Sequence, residues 1–97
     1  MWYVYVLLCE DGSLRPSGRK LSLYTGSTNN LEKRFSEHKS GKGSRYTRSH
    51  KPIKLIYQEK LATQSEALKR ESEIKSWSRE RKIKTLNLTI FPVIFSR

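Results

Sequence analysis

Between Tyr24 and His38 the chain reads YTGSTNNLEKRFSEH. Leu31, Arg34, Phe35 and His38 recur at spacings of three and four, so in a helix they share one face. Leu31 and Phe35 turn that face inward and carry Arg34 and His38 to the edge of the core. A guanidinium and an imidazole there are costly unless they meet partners or a ligand, and a phosphate is one ligand that suits arginine. Further on, the helical stripe Ala67, Leu68, Ile74 and Trp77 contains a carboxylate. Glu71 lies four after Ala67, three after Leu68 and three before Ile74. Two helices of one small basic chain that both turn polar groups inward suggest a site.

The elements that must position these groups follow from local pattern. Residues 2–9, WYVYVLLC, are aromatic and β-branched and end at the turn Asp11-Gly12, which predicts a buried strand. Residues 12–21 hold Pro16 and Gly18 between Arg15 and Arg19, a hairpin loop with a basic tip, and residues 22–26 return as a second strand. Ser27-Thr28-Asn29-Asn30 offers N-caps, with Glu32 three after Asn29, for a helix over 30–39 that stops at Ser40-Gly41-Lys42-Gly43. Residues 44–51, SRYTRSHK, read as a basic loop. A third strand over 53–61 should set Ile53, Leu55 and Tyr57 on one face and Lys54, Ile56 and Gln58 on the other. Thr63 with Glu66 makes a capping box for a helix to Trp77, and Ser78 caps a short third helix that ends near Asn87. The order β-β-α-β-α-α predicts an α+β domain, a small antiparallel three-stranded sheet flanked by helices, over residues 1–86. The tail 87–97 is apolar and contains Pro92; its role is open.

Composition bounds the partners. Lys and Arg number 20 against 9 Asp and Glu, a net charge of +11 with a pI near 10.1. Such a chain favours a polyanion, nucleic acid first. No long basic amphipathic helix and no run of ~20 apolar residues argues for a membrane. Cys9 is the sole cysteine, which excludes an internal disulfide and a cysteine-based zinc finger and fits a reduced, cytoplasmic setting. The apolar start lacks a basic leader and stops at Glu10-Asp11-Gly12, so it does not read as a signal peptide. Taken singly, the chemical residues have plainer explanations. Tyr5 and Tyr24 suit a core or cross-strand role, His38 suits a helix C-terminus, and Glu71 could pair with an arginine.

Tyr3-Val4-Tyr5, then Tyr24-Thr25-Gly26, then Arg34-x-x-x-His38, then a helical glutamate in ALKRESEIK together resemble the GIY-YIG nuclease superfamily. Within it the chain is most similar to the small stand-alone bacterial proteins of the UPF0213 type, over about residues 1–85. Either tyrosine triplet alone is a weak signal; the ordered set is strong. Tyr3 stands where the name-giving triplet begins with glycine, Thr25 where the second has isoleucine, and the spacer from Tyr5 to Tyr24 is longer than usual.

The resemblance implies a divalent-metal-dependent endonuclease that hydrolyses phosphodiester bonds in DNA, with RNA as the alternative substrate and repair or recombination of structured DNA as the setting. It makes Glu71 the ligand of Mg²⁺ (or Mn²⁺), Arg34 the phosphate contact, Tyr24 the general base, Tyr5 its positioner, and His38 the group that accepts the tyrosine proton or orients the phenol. A free phenol titrates near ~10, so work near neutrality requires roughly three pH units of depression, about 4 kcal/mol, from a nearby cation. Arg15, Arg19, Lys20, Lys33, Lys42, Arg45, Arg48 and Lys51 would grip the backbone. Relatives usually carry a domain that selects the target; none is visible here, so a protein partner would supply specificity. The competing class is a non-catalytic nucleic-acid-binding module with a vestigial or partner-dependent site.

Overall fold

The computed structural model describes residues 1–11, 21–43 and 50–88. The elements run β1 (Trp2–Asp11), β2 (Leu21–Thr28), α1 (Leu31–Lys39), β3 (His50–Leu61), α2 (Gln64–Lys75) and α3 (Arg79–Thr85). The α+β class and the β-β-α-β-α-α order are therefore those read from the sequence. β1, the most apolar run, takes the centre of an antiparallel sheet ordered β2-β1-β3. Val4 to Cys9 are all buried, as expected of a strand covered on both faces.

Residues paired across strands share a face of the sheet. Val4 opposite Ser27 and Val6 opposite Thr25 look toward α2, where Val4 and Val6 join Ala67, Ile74, Leu86 and Leu88 in one core. Tyr5 opposite Gly26 and Leu7 opposite Tyr24 look the other way, onto Leu31 and Phe35 of α1. Cys9 belongs to this second cluster, and burial pushes its thiol up to about 11, which suits a packing residue and not a nucleophile.

The third strand departs from the expected alternation. Val6 pairs with Tyr57 and Leu7 with Leu55, so Ile56 is an extra residue, and a second register shift falls between Leu8 and Cys9. A bulge of this kind inserts one residue and reverses the faces beyond it. Leu55 and Tyr57 therefore pack on opposite sides, and Ile53 is 44% exposed. The strand also starts at His50, ahead of the expected residue 53, with Pro52 inside it. An edge strand at a bulge tolerates the missing N–H.

Helix ends follow local chemistry. Asn30, not Asn29, caps α1, its side chain accepting from Lys33 N at 3.1 Å. Thr63 and Glu66 form the expected capping box, and Ser78 caps α3. α2 stops at Lys75, short of Trp77, and Leu68 is 52% exposed, so the buried stripe is narrower than predicted. At the end of α3, Asn87 adopts φ 54°, and Leu88 N donates to Ile83 O at 3.0 Å, a left-handed stop. Among the described residues no helix is long and apolar enough to cross a membrane. The loop over 12–20 and the tail from 89 onward lie outside the described residues.

Thr25 is 2% exposed and its Oγ1 has no hydrogen-bond partner. An unsatisfied buried hydroxyl is a standing cost. Replacing Thr25→Val keeps the β-branched shape and should raise the unfolding free energy by about 1 kcal/mol, read from urea denaturation.

Candidate active site

Tyr5 leaves the middle of β1 on the α1 side of the sheet, and its hydroxyl lies 2.8 Å from Nε2 of His38. Both residues are buried, His38 completely. His38 sits in the last turn of α1, well inside the core and not at its edge as its spacing suggested. Two glycines make room for the pair. A methyl group at Gly26 would overlap the Tyr5 hydroxyl and stand 2.6 Å from its Cζ; one at Gly43 would overlap His38 Nδ1. Burial, augmented by the Arg34 charge, lowers His38 to about 4, and burial pushes the Tyr5 phenol up to about 12. At neutral pH both are uncharged.

Tyr24, on β2, meets the His38 ring edge-on at 5.0 Å and the Tyr5 ring at 6.4 Å. One helical turn before His38, Arg34 is within reach of the Tyr5 phenol, and its positive charge acts on both tyrosines. Its Nη1 donates to Glu37 Oε1 at 3.2 Å. Burial works against the guanidinium, but its hydrogen-bonding to Tyr5 and Glu37 outweighs this and raises its affinity for its proton.

Glu71 approaches from the other face. Its Oε1 accepts from Ser27 Oγ at 2.6 Å and its Oε2 pairs with Lys75 Nζ at 2.7 Å. The carboxylate is 17% exposed, while Lys75 is 51% exposed. Arg70, the preceding residue, fastens α2 to β3 through Glu59 Oε1 at 3.0 Å and stacks on Trp77. Glu71 is also near enough for its charge to act on Tyr5. Tyr5, Tyr24, Arg34, His38 and Glu71 thus gather around the end of β2 that leads into α1.

Beside them opens a groove of about 250 Å³ lined by Trp2, Ser27, Asn29, Lys33, Arg34 and Glu37 among others. Sequence reasoning misses Glu37 and Lys75 and reads Ser27 only as a candidate N-cap. The signal for Glu37 and Lys75 was their spacing of three and four from Arg34 and Glu71; for Ser27 it was alternation along β2 after Gly26. Of the predicted backbone contacts, Lys33 and Lys42 are exposed. Lys51 enters as backbone of β3, and Arg15, Arg19, Lys20, Arg45 and Arg48 lie outside the described residues.

Two outcomes follow from the buried pair. Gly26→Ala must displace Tyr5 and should cost roughly 1–3 kcal/mol of stability by urea unfolding. His38 protonates near 6.5 in the unfolded chain but only near 4 when folded, so below 6.5 the unfolded state takes up the extra proton. This contribution is intact above 6.5 and is lost as the pH falls toward 4, by at most about 3 kcal/mol. The unfolding free energy of the wild type should drop more steeply between pH 6.5 and 4 than that of His38→Gln.

Residues 1–87 match the family described as the GIY-YIG catalytic domain. A UPF0213 protein of Staphylococcus saprophyticus is 45% identical over 85 residues, covering 88% of this chain and 93% of its own length. Another, from Bacillus pumilus, is 46% identical over 80 residues, 82% of this chain and 72% of that protein. The solution structure of a UPF0213 protein from Bacillus halodurans is 30% identical, covers 87% of this chain and 83% of that one, and superposes with a TM-score of 0.42. With the tyrosines, the Arg34/His38 helix and Glu71 in one place, and with the match running through 87 of its residues, the chain belongs to the GIY-YIG family.

Proposed function

We propose that this chain is a divalent-metal-dependent endonuclease that hydrolyses phosphodiester bonds in DNA, with the five gathered residues as its active site. The observation that carries the reading is convergence. A carboxylate from α2, held by Ser27, is near enough to act on Tyr5, whose phenol Arg34 reaches from the opposite face of the sheet beside Tyr24. Ser27 and Arg34 both line an open groove on a protein of charge +11.

Among the described residues no three His, Cys, Asp or Glu side chains group together. The described residues therefore offer no cage made of protein alone. Glu71 nonetheless suits Mg²⁺ or Mn²⁺, because Mg²⁺ commonly binds through one or two carboxylates, waters and substrate phosphate. Ser27 would keep hold of Oε1 while the exposed Lys75 releases Oε2. When bound, the ion supplies Lewis-acid stabilisation of the leaving 3′-oxygen.

The chain's own groups divide the rest. Arg34 exchanges Glu37 for a phosphate oxygen and offsets the extra negative charge that the non-bridging oxygens carry in the transition state. Tyr24, acting as its phenolate with the nearby guanidinium as counter-charge, takes a proton from the attacking water, whose oxygen bonds to phosphorus as the bond to the 3′-oxygen breaks. Tyr5, held neutral, is a hydrogen-bonding positioner and not a base. His38 anchors Tyr5 through the 2.8 Å bond and bounds Tyr24 with its ring edge. Lys33 and Lys42, both exposed, meet backbone phosphates in this reading, with the cutting of flapped or branched DNA in repair or recombination as the setting.

The deciding assay offers single-stranded, duplex, flapped and branched DNA with Mn²⁺ or Mg²⁺. Wild type should cut at least one of them. Glu71→Gln should lower cutting by about 100-fold or more while DNA affinity stays within a few-fold. Salt-sensitive binding with no cutting by wild type on any substrate would instead favour the non-catalytic module, for which the already engaged Glu71 and Arg34 are the supporting observation.

A further inference from the structure

We infer that the groove beside Arg34 takes up one unpaired nucleobase of the substrate, so that the chain selects DNA in which a single-stranded nucleotide adjoins the scissile phosphate; this rests on the nuclease reading and names its substrate class. The groove, about 250 Å³, lies below the ~300–1,000 Å³ of pockets for drug-sized ligands and suits a smaller planar group. Its wall includes Trp2, a half-buried indole that packs in part on the α2-side core. Indole faces are sequence-tolerant stacking platforms for bases.

Charge is compatible with a base in the groove beside a phosphate on Arg34. Lys33 and Arg34 line it, but so does Glu37, whose carboxylate is bonded to Arg34. Glu37 thus offsets one of the two positive charges, while Arg34 stands between groove and tyrosines, where one phosphate can reach it. Asn29, exposed at the rim, adds an amide that both donates and accepts, as a base edge requires. A base inside a duplex cannot enter without being unstacked and unpaired first. Single strands, flaps and junctions present it free of that cost.

The test is binding, in EDTA, of a labelled short single strand and of a hairpin whose stem holds that same strand fully paired, its two strands joined by a non-nucleotide linker. Trp2→Ala should weaken the single strand by about tenfold and the hairpin by less than about twofold, with Trp2→Phe restoring most of the loss. Asn29→Ala, at an exposed position, should weaken the single strand by about threefold. In a Trp77→Phe protein the remaining Trp2 emission should be quenched by the single strand and not by the hairpin. Equal losses on both DNAs, or Trp2 emission unchanged at saturating single strand, would overturn the inference. Should Trp2→Ala fail to fold, Asn29→Ala and the quenching decide. Neither metal nor cutting enters this assay, so selective binding without cleavage sinks the nuclease reading alone. Cleavage with equal losses sinks this inference alone.

Discussion

A phenol and an imidazole buried together in an apolar interior must stay neutral and must find hydrogen-bond partners, because either charge or an unmade bond is expensive there. Tyr5 and His38 meet both demands with one 2.8 Å contact. The bond ties the central strand to the last turn of α1 and so sets how closely that helix approaches the sheet. Arg34, one turn earlier on the same face, is then carried to the mouth of the site. Gly26 and Gly43 are small because the pair occupies the space their side chains would need.

The site also has to join the two faces of the sheet, and two successive residues of β2 do so. Side chains alternate along a strand. Gly26, opposite Tyr5, clears the α1 side, and Ser27, opposite Val4, points toward α2 and grips Glu71. Without a donor at position 27 the carboxylate would be held only by Lys75. The two charged groups that would meet substrate or metal, Arg34 and Glu71, are at present neutralised by Glu37 and Lys75 on their own helices. Both pairs are partly exposed, and such pairs contribute little to stability. They can be exchanged for a ligand at small cost.

Much of this was legible in the sequence because period and punctuation agreed. The apolar run over 2–9, the spacing of Leu31, Arg34, Phe35 and His38, and the Thr63/Glu66 box each specify one local structure, and each formed. The errors have a common cause. Bulges opposite Val6 to Cys9 changed the faces of β3, and nothing in IKLIYQEKL marks them; a bulge is settled by pairing with the neighbour strand. The depth of His38 likewise depends on Gly43 closing over it, a tertiary contact with no periodic signature. Ser27 looked like one more candidate cap among four polar residues, and its partner lies 44 residues away.

The two tyrosines make the last step. They come from adjacent strands and their rings lie 6.4 Å apart, yet their surroundings differ. Tyr5 is 2% exposed in the central strand, and burial holds its proton far above neutrality. Tyr24 is half-buried on an edge strand, open to solvent on one side. Environments that separate two like groups in this way assign them different tasks. In the proposed reaction the inner phenol holds and orients, and proton transfer falls to the half-buried outer one, on which the guanidinium charge also acts. The long-range Tyr5–His38 bond then serves chemistry indirectly. It uses burial to fix one phenol and leaves the exposed share of the pair to the other.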